Sequence, residues 1–497
     1  MVTRLLANRY VLTLLVVAAL AAVFGLASVS RPAAVSAAGA RSSVVRATVS
    51  SAVRACPTVG SPGATAADLA LTSSATGTGQ ADVSPLSSAG STTTPAPEQV
   101  LSQPGRLSLV SVPAAPVPAP GLIHSPAGST VPTSAVQGGV MVQASGSMAR
   151  GLEAEEAGAG GMATAQCEGP GTDFWFVGPG QQSAPAMQLY LMNTDSEPAN
   201  ATVEMFTDSG PVLGSTDAGI TVPPHGQVEQ ALAGALNGSH VVALNVTTSV
   251  GRVVAALLET SPGQPGAWLP PTAQPATTIT LPGLPGTPGG ADLYVAVPGA
   301  DNAQLTVTAV TARGSYQPTG GTAVNLPGGS AGSVPLTSLG GIPAALKITS
   351  NVPVTASVSV SGGPSGAPGV FTVATGPVQE QGVVAGNPGS GVGSSLVVLS
   401  APRGAAKVQL TELTSSGQAS GAPQEVQLAA GHTVAAALAA GSSAFSVVIT
   451  PLPGSGPVYA GRVVLQDGAA QSIIPVTSAL SWVPLPAVNS TVGAALP

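Results

Sequence analysis

Few residues of this chain belong to the types that catalyse reactions or bind metals. Its 497 residues include four histidines, which stand singly on expected turns or strand starts: His124, His225, His240 and His432. A zinc site needs several ligands that converge, and no two of these histidines share a motif with a cysteine or a carboxylate. We expect no nucleophile elbow either. The sequence therefore predicts no metal site and no catalytic residue, and a hydrolase is its weakest interpretation.

Carboxylates are also sparse, with 21 in the chain, and two groups of them lie close together in sequence. The first is an acidic cluster of Glu153, Glu155 and Glu156. It predicts a solvated loop, because no histidine or further carboxylate joins it in sequence. The second group consists of Asp195, Glu197, Glu204 and Asp208. It predicts a solvated rim, with a calcium-binding loop as the weaker alternative, since calcium takes six or more oxygen ligands.

Cofactor and nucleic-acid binding also lack a sequence signal. The Gly178-Pro179-Gly180 run is expected in a turn, because it does not follow a strand and open a helix as a phosphate cradle does. Only 7% of the residues are charged, the net charge is -7, and no basic stripe is present. Proteins that bind nucleic acids need such a stripe to neutralise phosphates. The sequence therefore predicts no cofactor and no nucleic-acid partner.

The tryptophans and cysteines are the remaining candidate site residues. Trp175, Trp268 and Trp482 lie near the expected ends of folded modules. They either form a carbohydrate-stacking platform or pack at module junctions, and packing is favoured because aromatic residues are few. Cys56 and Cys167 are the two cysteines. In an oxidising compartment they would form one disulfide that contributes roughly 4 kcal/mol, and two free thiols are the alternative.

An apolar segment near the amino terminus predicts export. Residues 11–29 are 19 residues without a charge, and as a helix they would be roughly 28 Å long, which matches the hydrocarbon thickness of a bilayer. Arg4 and Arg9 precede the segment, and positive charge tends to stay in the cytoplasm. We therefore predict a single-pass anchor at the cell membrane, with the bulk of the chain outside the cytoplasm. The alternative is a signal peptide cleaved after Ala38-Gly39-Ala40, which would release a secreted protein.

Composition then divides the chain into segments. Residues 1–30 form the predicted cytoplasmic tip and anchor. Residues 31–100 are rich in Ala, Ser, Thr and Pro and show no apolar period, so they predict a disordered spacer. The chain as a whole is 44% apolar, which is enough to supply folded cores in the remainder.

An internal repeat is the most informative feature beyond residue 165. Three copies of about 103 residues each open with a similar apolar run: LYLMN at Leu189, LYVAV at Leu293 and LVVLS at Leu396. An alternating run follows in each copy: ATVEMFT at Ala201, AQLTVTAVT at Ala303 and AKVQLTELT at Ala406. Alternation with period two is typical of strands with one buried face.

The repeat predicts an all-β fold. A unit of this length with about seven short strands is typical of an immunoglobulin-like or fibronectin-like β-sandwich. We expect three tandem sandwiches, at residues 101–275 with an amino-terminal extension, 276–380 and 381–497. Arg252 and Arg462 share the context Gly-Arg-Val-Val and are expected at equivalent exposed strand positions.

Three stretches resemble a known protein family. They are VMVQASGSMARGLEAEE, then CEGPGTDFWFVGPG, then LYLMNTDSEPANATVEMFTDSG, and the most specific part is C-x-x-P-G-T-D-x-W-F-V-G from Cys167. Together they resemble a family of actinobacterial exported, membrane-anchored proteins known only as a domain of unknown function. The resemblance implies an amino-terminal apolar segment and a pairing of Cys56 with Cys167. It implies no activity.

These observations favour a cell-envelope protein over an enzyme. The main interpretation is a structural or interaction protein whose sandwiches contact another envelope protein or a glycan. The alternative is an accessory module for envelope polysaccharide, which would require the exposed indoles to form one groove.

Overall fold

The computed structural model describes most of the chain beyond residue 45. The described residues are 16–22, 46–57, 67–75, 77–88, 99–101, 108–112, 139–158, 164–180, 186–212, 219–232, 236, 238–260, 266–286, 290–337, 339, 341–360, 369–390, 393–414, 417–439 and 441–485. The chain divides into a large unit, Thr48–Val483, and a small one made of Met1–Ala47 and Pro484–Pro497.

In the small unit, residues 16–22 are helical and exposed. They are the only described part of the predicted anchor at residues 11–29, and the rest of that segment lies outside the described residues. Within the described residues, no helix is both long enough and apolar enough to cross a membrane.

The chain is otherwise built almost entirely from strands, which form four consecutive modules. Module 1 spans residues 48–166, module 2 residues 173–269, module 3 residues 276–373 and module 4 residues 382–476. The strands of module 1 and its approach are β1 (Arg46–Thr48), β2 (Ser51–Cys56), β3 (Ala67–Thr72), β4 (Gly79–Pro85), β5 (Ser87–Ser88), β6 (Gln99–Leu101), β7 (Ser108–Val112), β8 (Val140–Gly146), β9 (Glu153–Gly158) and β10 (Thr164–Gln166), with a 3-10 turn at Ser147–Ala149.

Modules 2 and 3 continue the series. Module 2 contains β11 (Asp173–Pro179), β12 (Ala186–Met192), β13 (Ala199–Thr207), β14 (Gly210–Pro211), β15 (Ile220–Val222), β16 (Gly226–Ala231), β17 (Val241–Val250), β18 (Val254–Thr260) and β19 (Ala267–Leu269). Module 3 contains β20 (Ala276–Leu284), β21 (Ala291–Val297), β22 (Ala303–Thr311), β23 (Gly314–Tyr316), β24 (Val324–Leu326), β25 (Ser330–Leu336), β26 (Ala344–Val360) and β27 (Val370–Val373).

Module 4 completes the large unit. Its strands are β28 (Gly382–Asn387), β29 (Ser394–Ala401), β30 (Ala406–Leu413), β31 (Gln424–Leu428), β32 (His432–Ala437), β33 (Phe445–Pro451), β34 (Tyr459–Gln466) and β35 (Ala469–Val476). A last strand, β36 (Trp482–Pro484), follows the module.

All four modules have the same strand order. In module 4 the two sheets run β28-β33-β30-β31 and β35-β34-β29-β32, so strands counted within the module are ordered 1-6-3-4 and 8-7-2-5. Module 1 repeats this order as β2-β8-β4-β6 and β10-β9-β3-β7, and its short β5 is not counted because it pairs with β16 of module 2. Modules 2 and 3 follow it as well, with the fourth position split between two short strands. In module 3 the long β26 serves as both the sixth and the seventh strand, passing from one sheet to the other.

The structure corrects the predicted domain division in two respects. The predicted spacer at residues 31–100 contains β2 to β5, so a fourth sandwich precedes the three that the repeat suggested. The strand order also differs from an immunoglobulin sandwich, where the first two strands pair in one sheet. Here the first strand pairs with the sixth in every module. Alternation identifies strands but does not specify their partners, so the sequence could not distinguish these orders.

Each module has an apolar core between its two sheets. The core of module 1 includes Leu69, Leu71 and Val142, all fully buried. The core of module 4 includes Val408, Val447 and Ala460. Side chains from adjoining modules extend two of the cores: Tyr294 and Phe371 of module 3 join the core of module 2, and Val463 and Ile473 of module 4 join that of module 3.

The four modules form a closed circuit. At each seam the first strand of one module lies against the seventh strand of the next. Ala55 on β2 clusters with Val254 on β18, and Val177 O on β11 accepts a hydrogen bond from Ser357 on β26. Gly283 on β20 touches Gly461 on β34. The last seam joins module 4 back to module 1, since the Ala385 N–H on β28 donates a hydrogen bond to the Glu155 carboxylate on β9.

Candidate functional site

The acidic cluster of β9 lies in the interior, at the seam between modules 4 and 1. Glu153, Glu155 and Glu156 are only 3%, 3% and 1% exposed. The prediction of a solvated loop is therefore wrong. Ala154, between them, is fully buried in the core of module 1, whereas Glu155 points toward module 4. Glu155 and Glu156 are adjacent and so lie on opposite faces of the strand. Both are buried, because neighbouring structure covers both faces.

A buried ion pair closes the seam. The Arg462 guanidinium on β34 lies 2.5 Å from the Glu155 carboxylate, and both side chains are at most 3% exposed. Glu155 also accepts a hydrogen bond from the Ala385 N–H at 3.0 Å, and Arg462 donates to Gly386 O at 3.3 Å. A buried charge is stable only when it is paired and hydrogen-bonded. These contacts pair both charges, while the Arg462 Nε atom is buried without a hydrogen-bond partner in the structure.

The two partners occupy equivalent positions in their modules. In each module the seventh strand pairs with the second strand. We compare the residue of the seventh strand that lies opposite the position just after the first leucine of the second strand. In modules 1 to 4 these residues are Glu155, Ala256, Ser357 and Arg462. Thus the seam between modules 4 and 1 has opposite charges at a position where module 2 has alanine and module 3 has serine.

The shared Gly-Arg-Val-Val context of Arg252 and Arg462 does not indicate equivalence. When the second strands are aligned on Leu189 and Leu396, Arg462 of module 4 corresponds to Ala256 of module 2. Ala256 lies four residues after Arg252. Arg252 lies in the turn before β18, 51% exposed, and forms an ion pair with Asp195 at 2.7 Å. The PLPGSGP insertion before β34 shifts the motif, so only Arg252 is exposed as expected.

A second charged group flanks the disulfide between Cys56 and Cys167, whose sulfur atoms are bonded in the structure. Arg54 lies 3.1 Å from Glu153. Glu168 pairs through its backbone with Ala55 on β2. Burial raises the pKa of Glu168 to about 7, with the Glu153 charge adding to this effect and Arg54 opposing it. The pKa of Glu153 is also raised, first by burial, against the attraction of Arg54.

A carboxyl with a pKa near 7 is suited to acid–base chemistry, but the geometry leaves no room for a substrate. The cavity beside Glu168 has a volume of about 30 Å³ and is lined by residues of modules 1, 2 and 4, including Thr164, Trp268 and Ile473. That space accommodates about one water molecule. Arg54, Glu153 and Glu168 therefore act on one another within module 1 and the connection that follows it.

The three tryptophans are not brought into one groove. Trp175 is 6% exposed and stacks on Phe206 with ring centroids 5.9 Å apart. Trp268 is half-buried, packs against the core of module 1, and contacts Tyr190 at 5.4 Å. Trp482 is 45% exposed. Since two indoles lie in packed regions, all three cannot form an open carbohydrate platform.

The second carboxylate group is also dispersed. Asp195 binds Arg252, as described above, and Asp208 accepts a hydrogen bond from the His240 N–H at 3.0 Å. Glu204 projects into solvent from β13. Among the described residues, no group of three histidines, cysteines or carboxylates is arranged to hold a metal ion. His124 lies outside the described residues.

Sequence reasoning missed one motif match. The run Gly328-Gly329-Ser330-Ala331-Gly332 has the form G-x-S-x-G. A nucleophile elbow places its serine between a strand and a helix. Ser330 instead begins β25, and its hydroxyl donates to Pro327 O at 2.7 Å. The match is therefore a turn that enters a strand.

An open groove of about 620 Å³ lies on module 4. Lys407, Gln427 and Ser455 supply its polar side chains, and its lining includes no aromatic residue and no carboxylate. Lys407 is paired at 3.8 Å with Glu425. Sugar-binding sites commonly stack the ring on an aromatic side chain, so this lining does not favour a glycan.

Comparison with known proteins identifies the family. A family of unknown function, DUF5719, matches residues 124–439. The chain belongs to this family. The matched region begins before β8 and ends after β32, so it includes modules 2 and 3 entirely and parts of modules 1 and 4. No curated protein matches the chain.

Proposed function

We propose that this protein is a membrane-anchored, extracytoplasmic component of the cell envelope, with a structural or protein-interaction role and no enzymatic activity. The observation that carries the proposal is the closed circuit of four sandwiches. The buried ion pair of Glu155 with Arg462 joins modules 4 and 1, and the cavity beside Glu168 has a volume of about 30 Å³. Such a body suits a rigid platform whose loops and sheet edges contact a partner.

Export is supported by the cysteines. The bond between Cys56 and Cys167 joins β2 to the connection that leads into module 2. Disulfides persist in oxidising compartments and are rare in the cytosol. We infer that this bond forms after the chain has crossed the membrane.

Anchoring is supported by residues 11–29 and by the arginines that precede them, Arg4 and Arg9. In this proposal residues 11–29 span the bilayer once, and the four modules lie outside the cytoplasm. Cleavage after Ala40 would give the same outward orientation with a released product. The partner is an envelope protein or an envelope glycan, and nucleic acid is not one of the ligands proposed.

The shared strand order supports a further part of the proposal, that the four modules arose by duplication of one ancestral unit. The glycan-binding alternative has less support, because it requires the indoles of Trp175, Trp268 and Trp482 in one open groove and only Trp482 is exposed.

Thiol accessibility in intact bacteria tests the orientation. The full chain is expressed with its native amino terminus and an exposed reporter cysteine, Ser420→Cys, because the native cysteines are buried and bonded to each other. Cells are treated with a membrane-impermeant maleimide polymer before or after lysis, and we expect a gel shift by one polymer in intact cells. The matched control, the wild-type chain, should not shift.

Flotation and protease treatment complete this test. The chain should float with the membranes, and protease added to intact spheroplasts should digest modules 1 to 4. A chain that is labelled only after the cells are lysed would contradict export. A chain that is labelled in intact cells but stays in the soluble fraction would indicate a secreted protein.

A further inference from the structure

In each module, the sheet that contains the first strand ends at the fourth position. In modules 1 to 3 the strands at this position have at most three residues each: β6, β14, β15, β23 and β24. In module 4 the single strand β31, Gln424–Leu428, has five. Short edge strands prevent pairing with other chains, whereas a longer edge presents a row of backbone groups to a new strand. Thus β31 is the fourth-position edge best suited to strand addition.

One edge and the outer face of β31 are open. In the part of the chain that the structure describes, β30 is the only strand paired with β31. Val426 and Leu428 belong to the core of module 4, whereas Gln424, Glu425 and Gln427 are exposed. The open groove described above adjoins the carboxyl-terminal end of the strand. The edge of β31 away from β30 is therefore available to a further strand.

Two opposite charges lie on the exposed face of β30 and β31. Lys407 is opposite Gln427, and Gln409 is opposite Glu425. The Lys407 Nζ atom lies 3.8 Å from the Glu425 Oε1 atom, and the two side chains are 59% and 50% exposed. That distance exceeds the length of a hydrogen bond, and an ammonium group has three donors. Lys407 can therefore bind a second carboxylate while it stays near the first.

Two copies of β31 are complementary in one antiparallel register. A two-fold axis places residue i of one copy opposite residue j of the other, and j opposite i. With Val426 on the axis, Glu425 lies opposite Gln427 of the second copy. It then shares a row with Lys407 of that copy, roughly 10 Å away between Cα atoms, which the two long side chains span. A register centred on Glu425 would place two carboxylates opposite each other, which is destabilising.

We propose that β31 is an interface between two copies of this protein, which join by antiparallel pairing of their β31 strands into one continuous sheet. Strand addition already occurs within the chain, since β5 of module 1 pairs with the edge strand β16 of module 2. Backbone hydrogen bonds supply the affinity, and the two reciprocal pairs of Lys407 with Glu425 fix the register. A five-residue edge buries little surface, so the dimer is weak and forms at high protein concentration. The inference goes beyond the proposed envelope role and does not depend on where the chain lies.

Sedimentation velocity of the full chain in a mild detergent tests the dimer. We expect the dimer fraction to rise with protein concentration and to fall with added salt, which screens exposed charges. Glu425→Lys should raise the dissociation constant by about tenfold, because both reciprocal pairs become repulsive. Lys407→Glu combined with Glu425→Lys restores opposite charges and should restore the dimer. Glu204→Lys, a charge reversal at an exposed position of β13, is the matched control and should dimerise like the wild type.

Disulfide cross-linking tests the register. Chains that carry Glu425→Cys are mixed with chains that carry Gln427→Cys and are then oxidised. Opposite residues have Cβ atoms about 5 Å apart, so the mixture should give more cross-linked dimer than either variant alone. The native cysteines are bonded to each other and do not compete.

Three results would overturn the proposal. The first is a chain that stays monomeric at every concentration. The second is a dimer that Glu425→Lys leaves intact, since it forms through another surface. The third is cross-linking that is equally strong in the mixture and in each variant alone. None of these results bears on the proposed export, which the labelling of intact cells tests separately.

Discussion

A carboxyl group that is removed from water keeps its proton to a higher pH than an exposed one. Two glutamates of this protein show the effect strongly, since burial raises the pKa values of Glu168 and Glu259 to about 7. The Glu259 Oε2 atom is buried without a hydrogen-bond partner in the structure. Glu168 also experiences the charge of Glu153, which raises its pKa further, and that of Arg54, which lowers it.

These shifts predict how stability depends on pH. Between the ordinary glutamate pKa of 4.5 and about 7, the folded state holds a proton that the unfolded chain has lost. The free energy of unfolding therefore falls as pH rises through this window. Glu168→Gln should reduce the fall by about 3 kcal/mol, as judged from urea denaturation at a series of pH values. Glu204→Gln, which alters an exposed carboxylate, should keep the wild-type dependence. The assignment is wrong if both variants give the same curve.

At the scale of elements, the seams depend on close backbone approach. Gly461 on β34 lies against Gly283 on β20, and a Cβ at position 461 would be 2.5 Å from the Gly283 Cα. Gly283 has a φ of +83°, a conformation that side chains rarely adopt. The strands of modules 3 and 4 therefore cross at this point only because both positions lack a side chain.

Gly461→Ala should weaken the seam between modules 3 and 4. The added methyl meets backbone that cannot move aside easily, and such overpacking typically costs about 1–3 kcal/mol. We expect a lower midpoint of urea denaturation and faster proteolysis at the seam. Gly290→Ala is the matched control, because no atom lies within 4 Å of its added Cβ. Equal midpoints for the two variants would contradict the crossing.

The disulfide should stabilise the junction of modules 1 and 2. Cys56 and Cys167 are separated by 111 positions in sequence, so the bond restricts a long loop in the unfolded chain. The chain-entropy model gives a contribution of about 5 kcal/mol for such a loop. Cys56→Ser with Cys167→Ser should lower the unfolding free energy by about that amount. Adding a reductant should lower the wild-type value similarly and leave the double variant unchanged, and an effect of reductant on the double variant would argue against this origin.

The sequence was most informative where strands are rich in Val and Leu. The runs at Leu189, Leu293 and Leu396 correspond to β12, β21 and β29, the second strands of modules 2, 3 and 4. Module 1 uses the same alternation with smaller residues, such as SAVRAC in β2, and its composition therefore resembled a spacer. The buried state of Glu155 was not predictable from β9 alone, because it depends on module 4, more than two hundred residues away.

At the scale of the whole molecule, closure of the circuit depends on a seam between the most distant modules. Modules 4 and 1 are not adjacent in sequence, and the ion pair of Glu155 with Arg462 joins residues 307 positions apart. The other seams join consecutive modules, which covalent connections already hold close together. The loop-closure entropy of the last seam is accordingly the largest, and its contacts must offset it.

A double-mutant cycle tests whether the ion pair holds the circuit closed. Arg462→Met leaves the Glu155 charge buried without its partner, which should cost about 3–5 kcal/mol, and Glu155→Gln does the same to Arg462. The double variant retains an acceptor for the Ala385 N–H and leaves no buried charge at the seam, so it should lose less than the sum of the two single variants. Small-angle X-ray scattering should show a larger radius of gyration for each single variant than for the double variant.

Asp195→Asn, at the exposed pair with Arg252, is the control. It should change the unfolding free energy by less than about 1 kcal/mol and leave the radius of gyration unchanged. Additive losses with an unchanged radius would mean that apolar contacts such as Ala70 with Ala385 close the circuit without help from the charges.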